Sequence, residues 1–260
     1  MKSGKVIWNS QDLEAALYKQ QLLTWEAEAY TSFKAKVTNK SFPCTFAIEA
    51  QRKGGLLYAF TQSPEADVDL LHMHAVMLEY LEYVSGMPQV KAAMTVLIIF
   101  IKMEGGPLSI QAYHQKAWRV LQFLHEHDPS PWPTTVPTDP NDPHWAFCFA
   151  GTALFVNINT PENHMRRSRN LGPVLTLVIQ PRESFDVFAG DTPQGRRIRA
   201  FIRGRLASYD LVAPSPELGT YGDPSKREWK QYGLLDTNAT GLEQCPFHTR
   251  NMTTQTEAQM

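Results

Sequence analysis

A histidine and three arginines fall within six residues of each other, His164, Arg166, Arg167 and Arg169, between two apolar runs typical of buried strands. Guanidinium groups bind carboxylates and phosphates through paired hydrogen bonds, and an imidazole can coordinate a metal. A threonine–proline pair just before them fits a helix start, which would put His164 and Arg167 on one face. The segment therefore predicts a site for an anion, with or without a metal. The alternative is a basic surface helix that pairs with acidic residues.

A second candidate is His125, near the end of the helix predicted over residues 109–127. His125 continues the apolar face of Leu121 and Leu124, so we expect it to point inward, where an imidazole needs a hydrogen-bond partner or a metal. Capping of a helix C-terminus explains a histidine at this place without any ligand. His72 and His74 lie two residues apart on another predicted helix, point to different faces and cannot share a metal.

Composition and missing motifs narrow the function. The chain has 260 residues, 43% of them hydrophobic and 20% charged, with a net charge of −1. No global field would attract nucleic acid or a membrane surface. The longest apolar run, Ala92 to Ile101, is about half the length that spans a bilayer, and the N-terminus lacks a signal-peptide core. Nucleotide-binding, nucleophile-elbow and HExxH motifs are absent from the sequence. We therefore expect a cytoplasmic protein with no nucleic-acid or membrane partner.

The elements that must hold these residues follow from periodicity. Helices are predicted over 10–36, 67–85, 109–127 and 192–209, the first with Ser10 as its cap; strands are predicted over 44–48, 56–60, 94–102, 145–150, 153–159 and 174–179. The first two strands flank a Gly-Gly turn, which is typical of a hairpin, and the strands at 145–159 pair across Gly151. Because the strands do not alternate strictly with helices, the pattern favours an α+β fold. It would contain a mixed or largely antiparallel sheet of about six strands flanked by helices.

The segment Asp128 to Pro143 contains six prolines and can be neither a helix nor a central strand. It fits a domain linker or a loop wrapped over the surface. We predict a single domain over residues 1–248, since neither half has a complete set of strands, and a disordered tail over 249–260.

Several separate motifs also resemble the YqcI/YcgG family. They are Phe42-Pro43-Cys44, the helix Trp118 to His125, Trp145-x-Phe-x-Phe-x-Gly151, Thr160-Pro161-x-x-His164-x-x-Arg167-Ser168-Arg169, Gln180-Pro181-Arg182 and Tyr221-Gly222-Asp223. They occur in the right order from about residue 40 to residue 235, on both sides of the proline-rich segment. The resemblance implies a haem b (Fe) monooxygenase, distinct from P450 proteins, that N-hydroxylates the guanidino group of L-arginine or an arginine-like guanidine.

The resemblance also suggests roles for particular residues. It implies that a histidine holds the iron, either His164 or His125. The two haem propionates would meet arginines, for which the candidates are Arg166, Arg167, Arg169 and Arg182. Trp145, Phe149 and Gln180 are candidates for substrate binding, and Glu49, Glu104 and Asp186 are candidate carboxylates for a guanidinium. A thiolate from Cys44 or Cys148 is also a competent iron ligand, although each cysteine fits equally well as a small apolar strand residue.

The monooxygenase reaction that the resemblance implies needs an oxidant and electrons from outside the chain. We expect O2 or peroxide as oxidant and an external electron donor, and a homodimer is a reasonable expectation for a soluble enzyme of this size. Two other functions fit the same residues. One is a haem-binding or haem-sensing protein without turnover, and the other is a non-haem anion-binding module that uses the same arginines.

Overall fold

The computed structural model describes residues 6–249 and centres on one six-stranded sheet. Its strands are β1 (Trp8–Asn9), β2 (Leu56–Thr61), β3 (Val96–Ile101), β4 (Phe147–Phe149), β5 (Thr152–Asn159) and β6 (Leu175–Pro181). Across the sheet the order is β1-β2-β3-β6-β5-β4. Only β2 and β3 run parallel among these neighbours. The predicted α+β class with a mixed, largely antiparallel sheet is confirmed.

The helices of the described residues are α1 (Ser10–Tyr18), α2 (Thr24–Val37), α3 (Thr45–Arg52), α4 (Asp67–Ser85), α5 (Gln89–Ala92), α6 (Ile110–Glu126), α7 (Arg182–Ala189), α8 (Pro193–Tyr209) and α9 (Glu228–Tyr232). The predicted helices at 67–85, 109–127 and 192–209 are confirmed as α4, α6 and α8. The single helix predicted over 10–36 is wrong, because Gln20 has a φ of 56° and so interrupts the right-handed helix. The cap of α1 is Asn9, whose side chain accepts the N–H of Asp12, rather than Ser10.

The hairpin predicted around residues 44–60 is also wrong, since its first half is α3. A helix places Phe46, Ala47 and Ala50 on one face, whereas a strand would split them between two. All three line the cavity described below. Gly54, with a φ of +69°, then reverses the chain into β2.

The sheet is buried on both faces, and each face has its own core. Leu154, Val156 and Ile158 of β5 point into the core formed with α4 and α6. The alternating residues Phe155, Asn157 and Asn159 point to the other face, towards α2 and α3. The three β5 residues that point into the first core are all apolar, whereas Asn157 and Asn159 are polar. The polar groups of this strand therefore lie on the second face of the sheet.

The proline-rich segment packs onto the protein as a loop. The carboxylate of Asp128 accepts the N–H of Ala150, and the indole N–H of Trp132 donates to the carbonyl of Val136. Ala150 and Gly151, with φ values of 48° and 71°, make the two-residue turn that joins β4 to β5, as the predicted pairing requires.

The sheet takes strands from both sides of this loop. The single-domain span stays a prediction. Residues 250–260 of the predicted tail lie outside the described residues. Within the described part of the chain, no helix is long and apolar enough to cross a membrane.

Candidate active site

The helix predicted to carry His164 is absent, and turns followed by a 3-10 helix, Arg167–Arg169, take its place. The backbone N–H groups of His164, Met165 and Arg166 all donate to the carboxylate of Asp236, at 3.0, 2.8 and 2.6 Å. Successive N–H groups that converge on one anion form a backbone nest, and its curvature differs from that of a continuing helix.

The arginines of this segment bind other parts of the protein. Arg166 and Arg169 are buried, and they donate to the carbonyls of Ala213, Gln231, Tyr232, Leu235 and Thr237 and to the side chains of Asn157 and Asn238. Arg167 donates to the carbonyl of Tyr209. Burial, which is the main cause, and the neighbouring Arg166 lower the pKa of Arg169 to about 9. The anions of this segment are the protein's own carboxylates, and groups other than the arginine side chains donate to them: backbone N–H groups to Asp236, and the Ser168 N–H and hydroxyl to Asp210.

Neither predicted histidine ligand is among the described residues that line the cavity between α2, α3 and α8. The side chain of His164 is 70% exposed, and its Nε2 is 3.3 Å from the carboxylate of Glu162. His125 does point inward and is only 5% exposed. Its ring, however, packs against Trp132 and Phe247 at centroid distances of 5.4 and 4.9 Å, among residues of the α4–α6 core.

Two of the three predicted substrate-binding residues belong to that same core. Trp145 and Phe149 are fully buried there; Trp145 packs against Tyr232 and Phe247, and Phe149 against His74. They pack in the core beside α6 and are not among the described residues that line the cavity on the other face of the sheet. Gln180, the third, lies on the opposite face of the sheet and lines the cavity.

A cavity of about 280 Å³ lies on the second face of the sheet, enclosed by α2, α3, α8 and the segment 218–221. Its apolar wall includes Phe33, Val37, Phe42, Phe46, Ala47, Leu56, Ile98, Val178, Ile202 and Leu206. Its polar wall includes Asn157, Arg166, Arg169, Gln180, Arg182, Arg199, Arg203, Tyr221 and Glu228. No histidine is among the described residues of this lining. Concave apolar sites with a few convergent polar groups are the usual form of a small-molecule site.

Cys44 lies at the apolar end of the cavity, as the N-cap residue of α3. Burial raises the pKa of its thiol, and the backbone N–H groups of Phe46 and Ala47 partly offset this by lowering it. Arg205 of α8 fixes the chain just before Cys44, by donating to the carbonyls of Lys40, Phe42 and Pro43 at 2.5, 2.7 and 3.3 Å.

The polar end is organised around Arg182, which was predicted, and Glu228, which was not. The guanidinium of Arg182 donates to Glu228 at 2.7 Å and to Asp186 at 3.0 Å, and it lies 4.4 Å from the ring centre of Tyr221. Burial raises the pKa of Glu228 to about 7 although Arg182 lowers it, and burial likewise raises the pKa of Asp186. The other two candidate carboxylates do not line the cavity: Glu49 pairs on the surface with Arg52, and Glu104 is exposed.

A ligand of this cavity must therefore combine apolar area with charge. Five arginines and one glutamate line it among the described residues, so its wall suits anionic groups and offers one acceptor for a cation. No group of three or more His, Cys, Asp or Glu side chains in the described residues is placed to hold a bare metal ion.

Comparison with known proteins places the sequence in a family. The model of the YqcI/YcgG family matches residues 33–248. The chain belongs to this family. It is 38% identical over 253 residues to the "Putative N(omega)-hydroxy-L-arginine synthase DcsA" of Streptomyces lavendulae, and the alignment covers 95% of each chain. It is 32% identical over 237 residues to the uncharacterized protein YcgG of Bacillus subtilis (strain 168), covering 90% of this chain and 92% of that protein. It is 31% identical over 243 residues to YqcI of the same organism, covering 93% and 94%.

No solved structure matches the chain. The residues that line the cavity, from Phe33 to Leu234, all fall inside the part that the family model matches. The site is therefore built from family sequence throughout.

Proposed function

We propose that this chain is a haem-dependent monooxygenase that N-hydroxylates the guanidino group of L-arginine or of an arginine-like guanidine. The name of the Streptomyces lavendulae relative supports arginine N-hydroxylation. The observation that carries the haem part is the cavity itself, which joins an apolar chamber, a cysteine and a row of arginines. A flat apolar macrocycle with two carboxylates and a metal needs that combination.

The residues present fit a haem held by sulfur better than one held by a histidine. Cys44 faces the chamber, whereas His164 is exposed and His125 packs in the opposite core. Thiolate is an established type of haem ligand and favours cleavage of the O–O bond. Burial raises the pKa of the Cys44 thiol and the N–H groups of Phe46 and Ala47 at the start of α3 lower it in part; a bound metal would lower it further. We therefore assign Cys44 as the iron ligand, in place of either histidine.

The cationic wall would receive the propionates. Arg199 and Arg203 of α8 line the cavity at the same helix that anchors the Cys44 segment through Arg205. Arg166 and Arg169 also line the wall, but both are buried and donate to several carbonyls and to the side chains of Asn157 and Asn238. Arg199 and Arg203 also donate to carbonyls, those of Gly190 and Leu218, but the side chain of Arg203 is exposed and can turn towards a ligand. We therefore favour the α8 arginines as propionate partners.

A bound haem supplies the activation of O2 or peroxide. The protein's part is to hold the guanidino nitrogen near the metal and to keep bulk water out, for which the aromatic walls of α2 and α3 are suited. One oxygen atom enters the new N–OH bond and the other leaves as water. With O2 as oxidant an external donor supplies a pair of electrons, and two protons come from solvent; peroxide would supply the electron pair itself.

The test is a set of spectra and product assays on protein produced with added haem precursor. We expect a Soret band, and a ferrous–CO band at the long wavelength typical of thiolate ligation. Cys44→Ser should lose that band, and Cys44→His should shift it to the position typical of histidine ligation. Cys148→Ser is the matched control, because Cys148 is buried in β4 and its pKa is raised to about 12.

Loss of the spectrum in His164→Ala or His125→Ala, with Cys44→Ser unchanged, would refute the assignment. Incubation with L-arginine, oxygen and a reductant should add the mass of one oxygen atom. A thiolate-type spectrum without any such product would identify a haem-binding protein without turnover. A colourless protein that binds no added haemin would reject the haem altogether.

A further inference from the structure

Glu228 is the one acidic side chain among the described residues that line the cavity. Its side chain is 1% exposed, and it lies at the start of α9 facing the polar end. One carboxylate oxygen accepts from Arg182 at 2.7 Å, and the other accepts from the amide of Gln231 at 3.3 Å. Because each carboxylate oxygen can accept two hydrogen bonds, the Gln231 side of the group retains capacity for a further donor.

The charged groups around Glu228 include Arg182, Asp186 and, beyond Asp186, Arg199. Arg182 is shared between Glu228 and Asp186, so two carboxylates surround one guanidinium. Arg199 lies on the Asp186 side, where burial raises the pKa of Asp186 and the charges of Arg182 and Arg199 lower it in part, and Arg199 also pairs with Asp191 at 3.6 Å. A buried carboxylate such as Glu228 is stabilised by each further donor or cation that reaches it.

The same corner already binds one guanidinium, that of Arg182, and so shows which residue types hold such a group here. The rings of Tyr221 and Phe155 lie 4.4 and 5.7 Å from the guanidinium carbon of Arg182. Aromatic faces and a carboxylate are the two groups that bind planar cations. The hydroxyl of Tyr221 donates to the carbonyl of His144, which fixes its ring.

We propose that Glu228 binds the guanidinium of the substrate and so selects substrates that carry this positive charge. Arg182 is the positioning residue that holds Glu228 in place. This inference rests on the proposed function, since it takes a guanidine as the substrate. It assigns charge selection to one residue that sequence patterns do not mark. The competing role for Glu228 is a purely structural partner of Arg182.

L-Citrulline separates the two roles, because it has the shape of arginine but carries a neutral ureido group. Binding of L-arginine and L-citrulline to the haem-loaded protein would be measured by calorimetry, for the wild type and for Glu228→Gln. We expect the wild type to prefer arginine by roughly 10- to 100-fold, the range for a hydrogen bond to a charged group. Glu228→Gln keeps the size of the side chain and should lose most of this preference. The ratio is taken within one protein sample, so partial unfolding of a variant does not change it.

Asp186→Asn is the matched control, because it removes the other carboxylate from Arg182 without changing the described cavity wall. We expect it to keep the preference for arginine. An unchanged ratio in Glu228→Gln, or an equal loss in Asp186→Asn, would overturn the proposal. The haem spectrum and the oxygen-addition product test the proposed function separately: arginine hydroxylation that persists with no preference over citrulline would reject Glu228's role alone.

Discussion

Replacing Asp236 with alanine removes the anion around which residues 164–166 fold. Its carboxylate accepts three backbone N–H groups at 2.6 to 3.0 Å. A hydrogen bond to a charged group contributes about 1.5–3 kcal/mol when buried. Asp236 is only partly buried, so water would replace part of what is lost. We therefore expect a loss of about 2–4 kcal/mol in the free energy of unfolding, or roughly 5–15 °C in Tm for a chain of this size.

Urea denaturation and thermal melting would measure this loss. Asp236→Asn keeps one acceptor oxygen without the charge and should fall between the alanine variant and the wild type. Asp191→Ala, which removes an exposed partner of Arg196, is the matched control and should stay within about 0.5 kcal/mol. Added sulfate or phosphate should recover stability in Asp236→Ala more than in the wild type, because the nest of N–H groups is then open to an outside anion. An alanine variant as stable as the control, with no response to sulfate, would refute the reasoning.

Three further predictions address the cavity and its surroundings. His164→Ala should leave the haem content unchanged, as measured by the Soret band, because the side chain is exposed. For the same reason, the free energy of unfolding measured with urea should change by no more than about 0.5 kcal/mol. Arg205→Gln should lose haem to apomyoglobin several-fold faster than Arg196→Gln does, because only Arg205 holds the carbonyls before Cys44. Affinity for L-arginine should rise as the pH increases from about 6 to about 8, since the pKa of Glu228 is raised to about 7 and only the ionised carboxylate attracts a cation. Arg182, Asp186, Tyr221 and Gln231 face this carboxylate, and calorimetry on Glu228→Gln should show a flat profile if Glu228 is the group that titrates.

Long apolar patterns made most of the fold predictable from the sequence. The helices α4, α6 and α8 each repeat their apolar residues over several turns, and β3 is apolar throughout, so local spacing was sufficient. The prediction for residues 44–52 was wrong because the segment is short and its apolar residues fit a strand as well as a helix. What decides between them is the cavity that Phe46, Ala47 and Ala50 must face, which is a tertiary feature.

The sequence indicated which residue types belong to the site, but it did not indicate which groups their side chains bind. Arg166 and Arg169 were predicted to bind an anion, whereas their acceptors in the structure are carbonyl and amide oxygens of Asn157 and of the segments around residues 213 and 231–238. Nothing local in the sequence indicates that Asp236 returns to fill the same nest. His125 was expected to face inward, which is correct, but periodicity cannot say on which side of the sheet its helix packs.

One sequence signal did mark the correct face, namely polar residues at alternate positions of strands that are buried on both sides. Asn157 and Asn159 of β5 and Gln180 of β6 all point to the cavity side, while their neighbours in the chain fill the apolar core. A buried amide requires hydrogen-bond partners, which Asn157 finds in Arg169 and Asn159 in the carbonyl of Thr176. The partner of Asn157 is a buried arginine, which a purely apolar core would not contain. The pattern in β5 and β6 therefore demands a polar second face, and the side chains that complete it, Arg182 and Glu228, are the ones whose charges make that face a binding site.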